Sequence, residues 1–323
     1  MGRFAEGNAG AERNMDTARF RWRPSCPTVV LMYHRVERRD CDPLRLCVTP
    51  ENFAAQVAVI CSFAEIVAPA AIFGPGDGPR VALTFDDGYA DNLIHAAPVL
   101  QRYQAPACVF ATNRYLPDDP EFWWDQLEHL FLEGDTGVAF VELDFVTGRV
   151  RFDVRSSAGR IRTFARLNVV FRDLADDVRQ AHIDDLHGQL GRSPVVCAGH
   201  RRLRSAELRT LSEGGLVEIG GHTVSHAALP LIDDMTATSE IADNRTELAA
   251  LTGHPPRLFA YPYGSYRRRH VSQVRSAGYS MAFLARADPI GQFTNPLTVP
   301  RLPMKDWTAE EFRPALIGAL AGR

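Results

Sequence analysis

The sequence predicts an α/β barrel of parallel strands, interrupted by one long insertion. Strand-like apolar runs alternate with helix-like segments before residue 112 and again after residue 205, and a sustained β-α alternation lays strands side by side in one direction. The residues best equipped for chemistry all stand where a strand-like run opens into a loop, the end at which such barrels collect their functional groups. Length agrees: 323 residues, 46% of them hydrophobic, can bury a large core, and one α/β barrel commonly takes about 200 to 250 residues, which leaves room for an insertion.

In chain order, residues 1–27 read as a loose N-terminal arm and 28–323 as the barrel domain. Val29 to Met32 is the first strand, and Thr49-Pro50-Glu51 caps a helix over Asn52 to Cys61, whose apolar positions recur at helical spacing. Val81 to Phe85 and Ala107 to Ala111 are buried strands flanking a helix from Asn92 to Arg102. Later come helix Ser205 to Glu213, strand Leu216 to Ile219 with Gly220-Gly221 as its exit turn, helix Met235 to Leu251, strand Arg257 to Tyr261, helix Arg268 to Ala277 and strand Ser280 to Leu284. Residues from about 113 to 200 break the pattern with a helix over Phe122 to Leu132, a hairpin over Val138 to Val154 turning at Thr147-Gly148, and one or two polar helices between Ile161 and Leu190. An α+β insertion of this size is expected over the active rim, where it shapes the substrate site.

Two motifs carry chemistry. Thr84-Phe85-Asp86-Asp87-Gly88-Tyr89 sets adjacent carboxylates at a strand exit, and Gly221-His222-Thr223-Val224-Ser225-His226 sets two imidazoles four apart. Neighbours on an extended segment point different ways, so one acid can join both histidines on a divalent metal while the other stays free as a base. The histidines share one face if the segment makes a helical turn. An Asp-Asp-Gly stretch alone is ordinarily a solvated turn, and most histidines are surface or satisfied core residues. Their joint occurrence after two strands favours the metal reading.

A third segment, Leu258-Phe259-Ala260-Tyr261-Pro262-Tyr263-Gly264, completes a set that resembles the polysaccharide deacetylases, the carbohydrate esterase family 4 proteins sharing the NodB homology domain. Thr84 to Gly88 looks like that family's first motif, His222 to His226 its second and Tyr261 to Gly264 its third. The opening Leu31-Met32-Tyr33-His34-Arg35-Val36 resembles the first strand of the branch with bacterial polyglucosamine deacetylases. The resemblance implies a distorted (β/α) barrel of the NodB type and a metal-dependent amidohydrolase acting on linear C–N amide bonds, a carbohydrate N-deacetylase or N-deformylase. It assigns Asp87, His222 and His226 to the metal, Asp86 to the general base, and Pro262 with a backbone N–H near Tyr263 to the substrate and its oxyanion. Zn²⁺ is the metal expected, with Co²⁺, Ni²⁺ and Fe²⁺ as alternatives.

The chain departs from the family pattern twice. Many members carry an Arg two residues before the Pro of the third motif, where this chain has Ala260, so another group must hold Asp86. Arg301, in Val299-Pro300-Arg301-Leu302, is the candidate, set against an ordinary surface Arg. The late Leu-x-His that supplies the general acid is also missing, since no His follows His270. His34, at the end of the first strand, is the expected replacement, against a purely structural role. Trp123 and Trp124 could offer a sugar-stacking face or serve as core for the insertion.

A net charge of -3 gives no argument for a nucleic-acid partner or an anionic membrane surface, and no stretch approaches the ~20 apolar residues of a membrane span. The N-terminal residues lack a secretory pattern, so a cytoplasmic location and free thiols at the six scattered cysteines are expected. The expected substrate is an N-acetyl or N-formyl amino-sugar, free, as a nucleotide-sugar or in a small glycoconjugate. Other readings stay open: a non-haem Fe(II) oxygenase, which uses the same two-His, one-carboxylate set, a ureide or cyclic-amide hydrolase on the same barrel, and a silent carbohydrate-binding relative.

Overall fold

The computed structural model describes residues 26–114, 121–194 and 197–322; most of the arm read over 1–27 lies outside the described residues. The strands are β1 (Thr28–Tyr33), β2 (Arg35–Val36), β3 (Cys47–Val48), β4 (Glu65–Ile66), β5 (Arg80–Phe85), β6 (Ala107–Ala111), β7 (Phe140–Phe145), β8 (Gly148–Asp153), β9 (Val217–Gly221), β10 (Leu258–Ala260), β11 (Met281–Phe283) and β12 (Leu302–Pro303). The helices are α1 (Pro50–Cys61), α2 (Ala97–Tyr103), α3 (Trp123–Leu132), α4 (Ser157–Arg172), α5 (Asp176–Leu190), α6 (Ser205–Glu213), α7 (Asp234–Thr252), α8 (Arg268–Ser276) and α9 (Ala309–Leu320).

The main sheet is parallel, in the order β11-β10-β9-β6-β5-β1-β12, with β4 also on β5. It curls until its ends meet across one segment. Val299 bonds to Ala282 and Leu284 beside β11, at 2.8 Å each, while Leu302 and Pro303 pair with Leu31 and Met32 of β1. The parallel strands are those expected from the alternation, and their curl makes the distorted barrel that the resemblance implied. Alternate strand residues sort to opposite faces: Leu31, Leu83 and Val109 pack outward with the helices, while Val30, Ala82, Phe110, Ala260 and Phe283 fill the interior.

Several local expectations change in the structure. Thr49 occupies the cap position of α1 but its hydroxyl donates to Asp306 at 2.9 Å, and the helix starts at Pro50, whose fixed φ suits a first turn. Gly220 and Gly221 are not an exit turn. Both belong to β9, where a Cβ on Gly220 would overlap the Phe110 ring and one on Gly221 would overlap the Tyr279 hydroxyl. Glycine is required there for close approach.

Between β6 and α6, α3, the β7–β8 hairpin, α4 and α5 build a second apolar core from Trp124, Leu127, Phe131, Val141, Phe152, Phe164, Leu167 and Ile183. The hairpin turns at Val146-Thr147. Among the described residues no helix is long and apolar enough to cross a membrane.

Candidate active site

Asp86 and Asp87 leave the end of β5 and separate at once. Asp86 continues the interior row of Ala82 and Thr84 and is held by Arg301, whose Nη1 donates to Oδ1 at 2.6 Å and Nη2 to Oδ2 at 2.7 Å. Arg301 is 1% exposed; its Nε donates to the Leu284 carbonyl at 2.9 Å and its Nη1 also reaches Thr84 Oγ1 at 3.1 Å. The guanidinium therefore comes from the closing segment of the barrel. Burial pushes the Asp86 carboxyl up, but the Arg301 charge, His222 and the paired hydrogen bonds outweigh it and hold it below the usual carboxylate range.

Asp87 turns the other way, through a left-handed backbone at φ 73°. Its Oδ1 stands 3.5 Å from His222 Nε2 and 3.3 Å from His226 Nε2. These three donors lie within 4.8 Å of one another. Asp87 Oδ1 is buried with no hydrogen-bond partner, an arrangement that costs free energy unless something else engages the oxygen. Burial pushes the His226 imidazole down, against the pull of Asp87, which favours the neutral ring a metal needs. His222 Nδ1 lies 2.8 Å from the Ala260 carbonyl, so it donates there and leaves Nε2 as the free lone pair. Orphan oxygen, neutral imidazole and fixed tautomer all fit a divalent cation.

The segment between the histidines is not the helical turn expected. It is an irregular loop with Thr223 at φ 63° and His226 at φ 59°. Such positions are uncommon for residues with a Cβ and are held only where surroundings over-determine them. Here α7 does so: Asn244 Oδ1 accepts from His222 N at 3.0 Å, and Glu240 accepts from Ser225 N at 2.9 Å and its hydroxyl at 2.7 Å. Tyr263 repeats the pattern at φ 57° after Pro262, and its ring stands edge-on to His226 with centroids 4.5 Å apart.

One cavity of about 240 Å³ opens on Asp86, Asp87 and both histidines. His34, half-buried, lines it beside Tyr263, and the Asn92 amide holds the His34 carbonyl at 3.0 Å. Trp123 and Trp124 line it too, at 7% and 4% exposure. Trp124 is stacked on Phe122 with centroids 4.3 Å apart and donates through Nε1 to the Tyr89 hydroxyl at 2.8 Å, so one of its faces is already covered. It serves the core of the inserted segment as well as the cavity wall.

Sequence reasoning missed the groups behind this site. Tyr89 donates to Asp125 at 2.8 Å beneath the Arg35 guanidinium, which sits 4.3 Å over its ring and pairs with Asp91 at 3.2 Å. Tyr89 closes the acid motif and Asp91 stands two residues beyond it, so both lie beside the acids in the sequence. Glu240 and Asn244 lie four apart on α7, on the side that also carries buried Ala237, Ile241 and Leu248. Polar residues on such a face were the other clue.

A family profile described as polysaccharide deacetylase matches residues 74–138 and 189–282, which include both chemical motifs and leave out 139–188. No curated protein sequence matches the chain at a significant level. Among solved structures, a Bacillus cereus polysaccharide deacetylase is 17% identical, with 90% of this chain and 68% of that one covered at a TM-score of 0.57. The Streptococcus pyogenes deacetylase PplD, solved with acetate, gives 15%, 90% and 97% at 0.58. IcaB from Ammonifex degensii gives 19%, 91% and 97% at 0.57. At these identities the structural likeness is one of fold.

Proposed function

Because the chain belongs to the polysaccharide deacetylase family, we propose that it removes an acetyl or formyl group from the nitrogen of an amino-sugar by metal-assisted hydrolysis. One observation carries the reading: an ionised carboxylate locked by an Arg stands beside a two-His, one-carboxylate cluster in a single cavity.

Asp87, His222 and His226 would hold the cation. A divalent metal so bound supplies Lewis acidity and makes water acidic enough to react near neutral pH, with a pKa of ~7 for zinc. Asp86 accepts a proton from the attacking water. Each carboxylate oxygen has two lone-pair directions, so engagement by Arg301 leaves room for that proton. The same pairing makes Asp86 a weak base, so it holds the proton briefly and its orientation matters more than its basicity. The Tyr263 backbone N–H is assigned to the oxyanion that forms on the amide carbonyl. His34 is assigned to the departing nitrogen as proton donor.

The cavity volume supports one sugar ring with its acyl group as the part of the substrate held here.

The test is a panel of N-acetylated and N-formylated amino-sugars, free and as nucleotide conjugates, incubated with Zn²⁺-loaded protein while released acetate and formate are measured. Release that disappears in Asp86→Asn supports the reading. Substrate-dependent oxygen uptake without acyl release would sink it in favour of an oxygenase, and sugar binding without release would favour a silent relative.

A further inference from the structure

Asn168 is a polar residue in an apolar row. On α4, Thr163, Phe164, Leu167 and Phe171 form the buried face, and position 168, four after Phe164, falls on the edge of that same face. Phe164, Leu167 and Phe171 pack into the core shared with Trp123, Trp124 and Leu127, so the helix is firmly seated. Asn168 itself lines the cavity that holds Asp86 and the two histidines. Its Nδ2 is buried and has no hydrogen-bond partner.

An unsatisfied buried amide costs stability, and an apolar side chain of similar size would avoid that cost. Since Nδ2 has no partner, the amide can turn about its last torsion with no hydrogen bond lost and present either an N–H or the carbonyl oxygen to the cavity. Turned toward the cavity, that N–H has a partner only when a ligand supplies one.

We infer that Asn168 is a specificity-determining residue that hydrogen-bonds a hydroxyl of the sugar ring whose acyl group faces Asp86. The inference rests on the deacylation reading above. It also narrows the substrate: no Arg or Lys is among the described residues lining the cavity, so a phosphate on that ring would find no guanidinium or ammonium there to pair with. The family profile leaves residue 168 unmatched, so this contact belongs to the inserted segment and not to the shared motifs.

The test pairs substrate changes with side-chain changes. N-acetylglucosamine and its 3-, 4- and 6-deoxy analogues are measured for kcat/KM, and for Kd by calorimetry, with the wild type, Asn168→Leu and Asn168→Asp. In the wild type, one deoxy analogue should lose roughly 2- to 10-fold, the value of one neutral hydrogen bond, and that loss should vanish in Asn168→Leu. The leucine variant should also melt about 2–5 °C higher, because it completes the apolar row. The 6-phosphate of the same sugar should bind more weakly than the parent sugar to the wild type. Equal analogue ratios in all three proteins would overturn the role of Asn168 while leaving hydrolysis intact. Wild-type sugar binding without acetate release would overturn the hydrolase reading, with the Kd series still deciding Asn168, and no binding by the wild type would overturn both.

Discussion

Arg301 grips both carboxylate oxygens of Asp86, at 2.6 and 2.7 Å, from 215 positions further along the chain. Both side chains are buried, so each charge depends chiefly on the other. Removing one partner of such a pair typically costs about 3–5 kcal/mol, because the other is left charged and unpaired. Arg301→Met should lose stability on that scale in urea unfolding and lose turnover with it. Arg301→Lys should retain more stability yet lose much of kcat, since an ammonium cannot reproduce the fork. A fully active lysine variant would mean that the charge alone, and not the orientation, is what Asp86 needs.

The two adjacent acids should separate cleanly when metal content is measured. Asp87→Asn, His222→Ala and His226→Ala each remove one donor and should weaken Zn²⁺ binding severely. Asp86→Asn should keep the metal and abolish acyl release, although stranding Arg301 will also lower its stability. Metal analysis on the folded fraction reads this directly, and metal lost from Asp86→Asn but kept by Asp87→Asn would reverse the assignment.

His34 lines the cavity with Asp86 and both histidines, and the proposed mechanism makes it the proton donor to the departing amine. A positioned general acid is typically worth ~10² to 10⁴ in rate, and it matters most for a poor leaving group. His34→Gln should therefore lower kcat on an amide by about that factor, with a much smaller loss on an aryl acetate, provided metal content is unchanged. Equal losses on both substrates would point instead to a role in positioning.

Gly221 precedes the first histidine and leaves no space for a side chain. An added Cβ would overlap the Tyr279 hydroxyl and stand 2.6 Å from Asn244 Oδ1, the acceptor that holds the His222 N–H. Gly221→Ala should cost about 1–3 kcal/mol of stability and weaken metal binding, because Asn244 must move. A metal titration beside a melting curve checks both effects, and normal metal affinity in a destabilised variant would limit Gly221 to packing.

Acid should loosen the segment that backs the acid motif. Arg201 and Leu203 bond to Ala90 and Gly88 through the backbone at 3.0 and 2.8 Å, and Glu207 holds Arg201 at 2.5 and 3.0 Å. Burial raises the Glu207 carboxyl, but the Arg201 pairing and the Arg204 N–H prevail and hold it below its ordinary 4.5. A depressed carboxylate stabilises the fold fully above its unfolded pKa and ceases to do so as pH falls through the folded value. The stability difference between wild type and Glu207→Gln should thus be constant above about pH 5 and shrink below it. A difference that stays constant down to pH 3 would show that the carboxylate is not favoured by folding.

Some of this molecule follows from local pattern alone. The β-α alternation, the hairpin near Thr147 and the acid and histidine motifs at strand ends are written in short windows, because strand and helix periods and turn residues act over a few positions. Other features exist only once the chain closes. Arg301 could be proposed for Asp86 from its place after a late strand, but the fork depends on the register of the segment that joins β11 to β1. Gly220 and Gly221 read as a turn in isolation but are strand residues paired with β6 and β10, where Phe110 and Tyr279 leave no room for a side chain. The histidine loop takes left-handed backbone at Thr223 and His226, which local propensity disfavours and which the partners on α7 stabilise. Asn168 carries no sequence signal beyond a polar residue on an apolar face, and only the docking of α4 over the barrel mouth brings it to the cavity. Local sequence sets what each segment is, whereas contacts between residues far apart in the chain decide what each side chain meets.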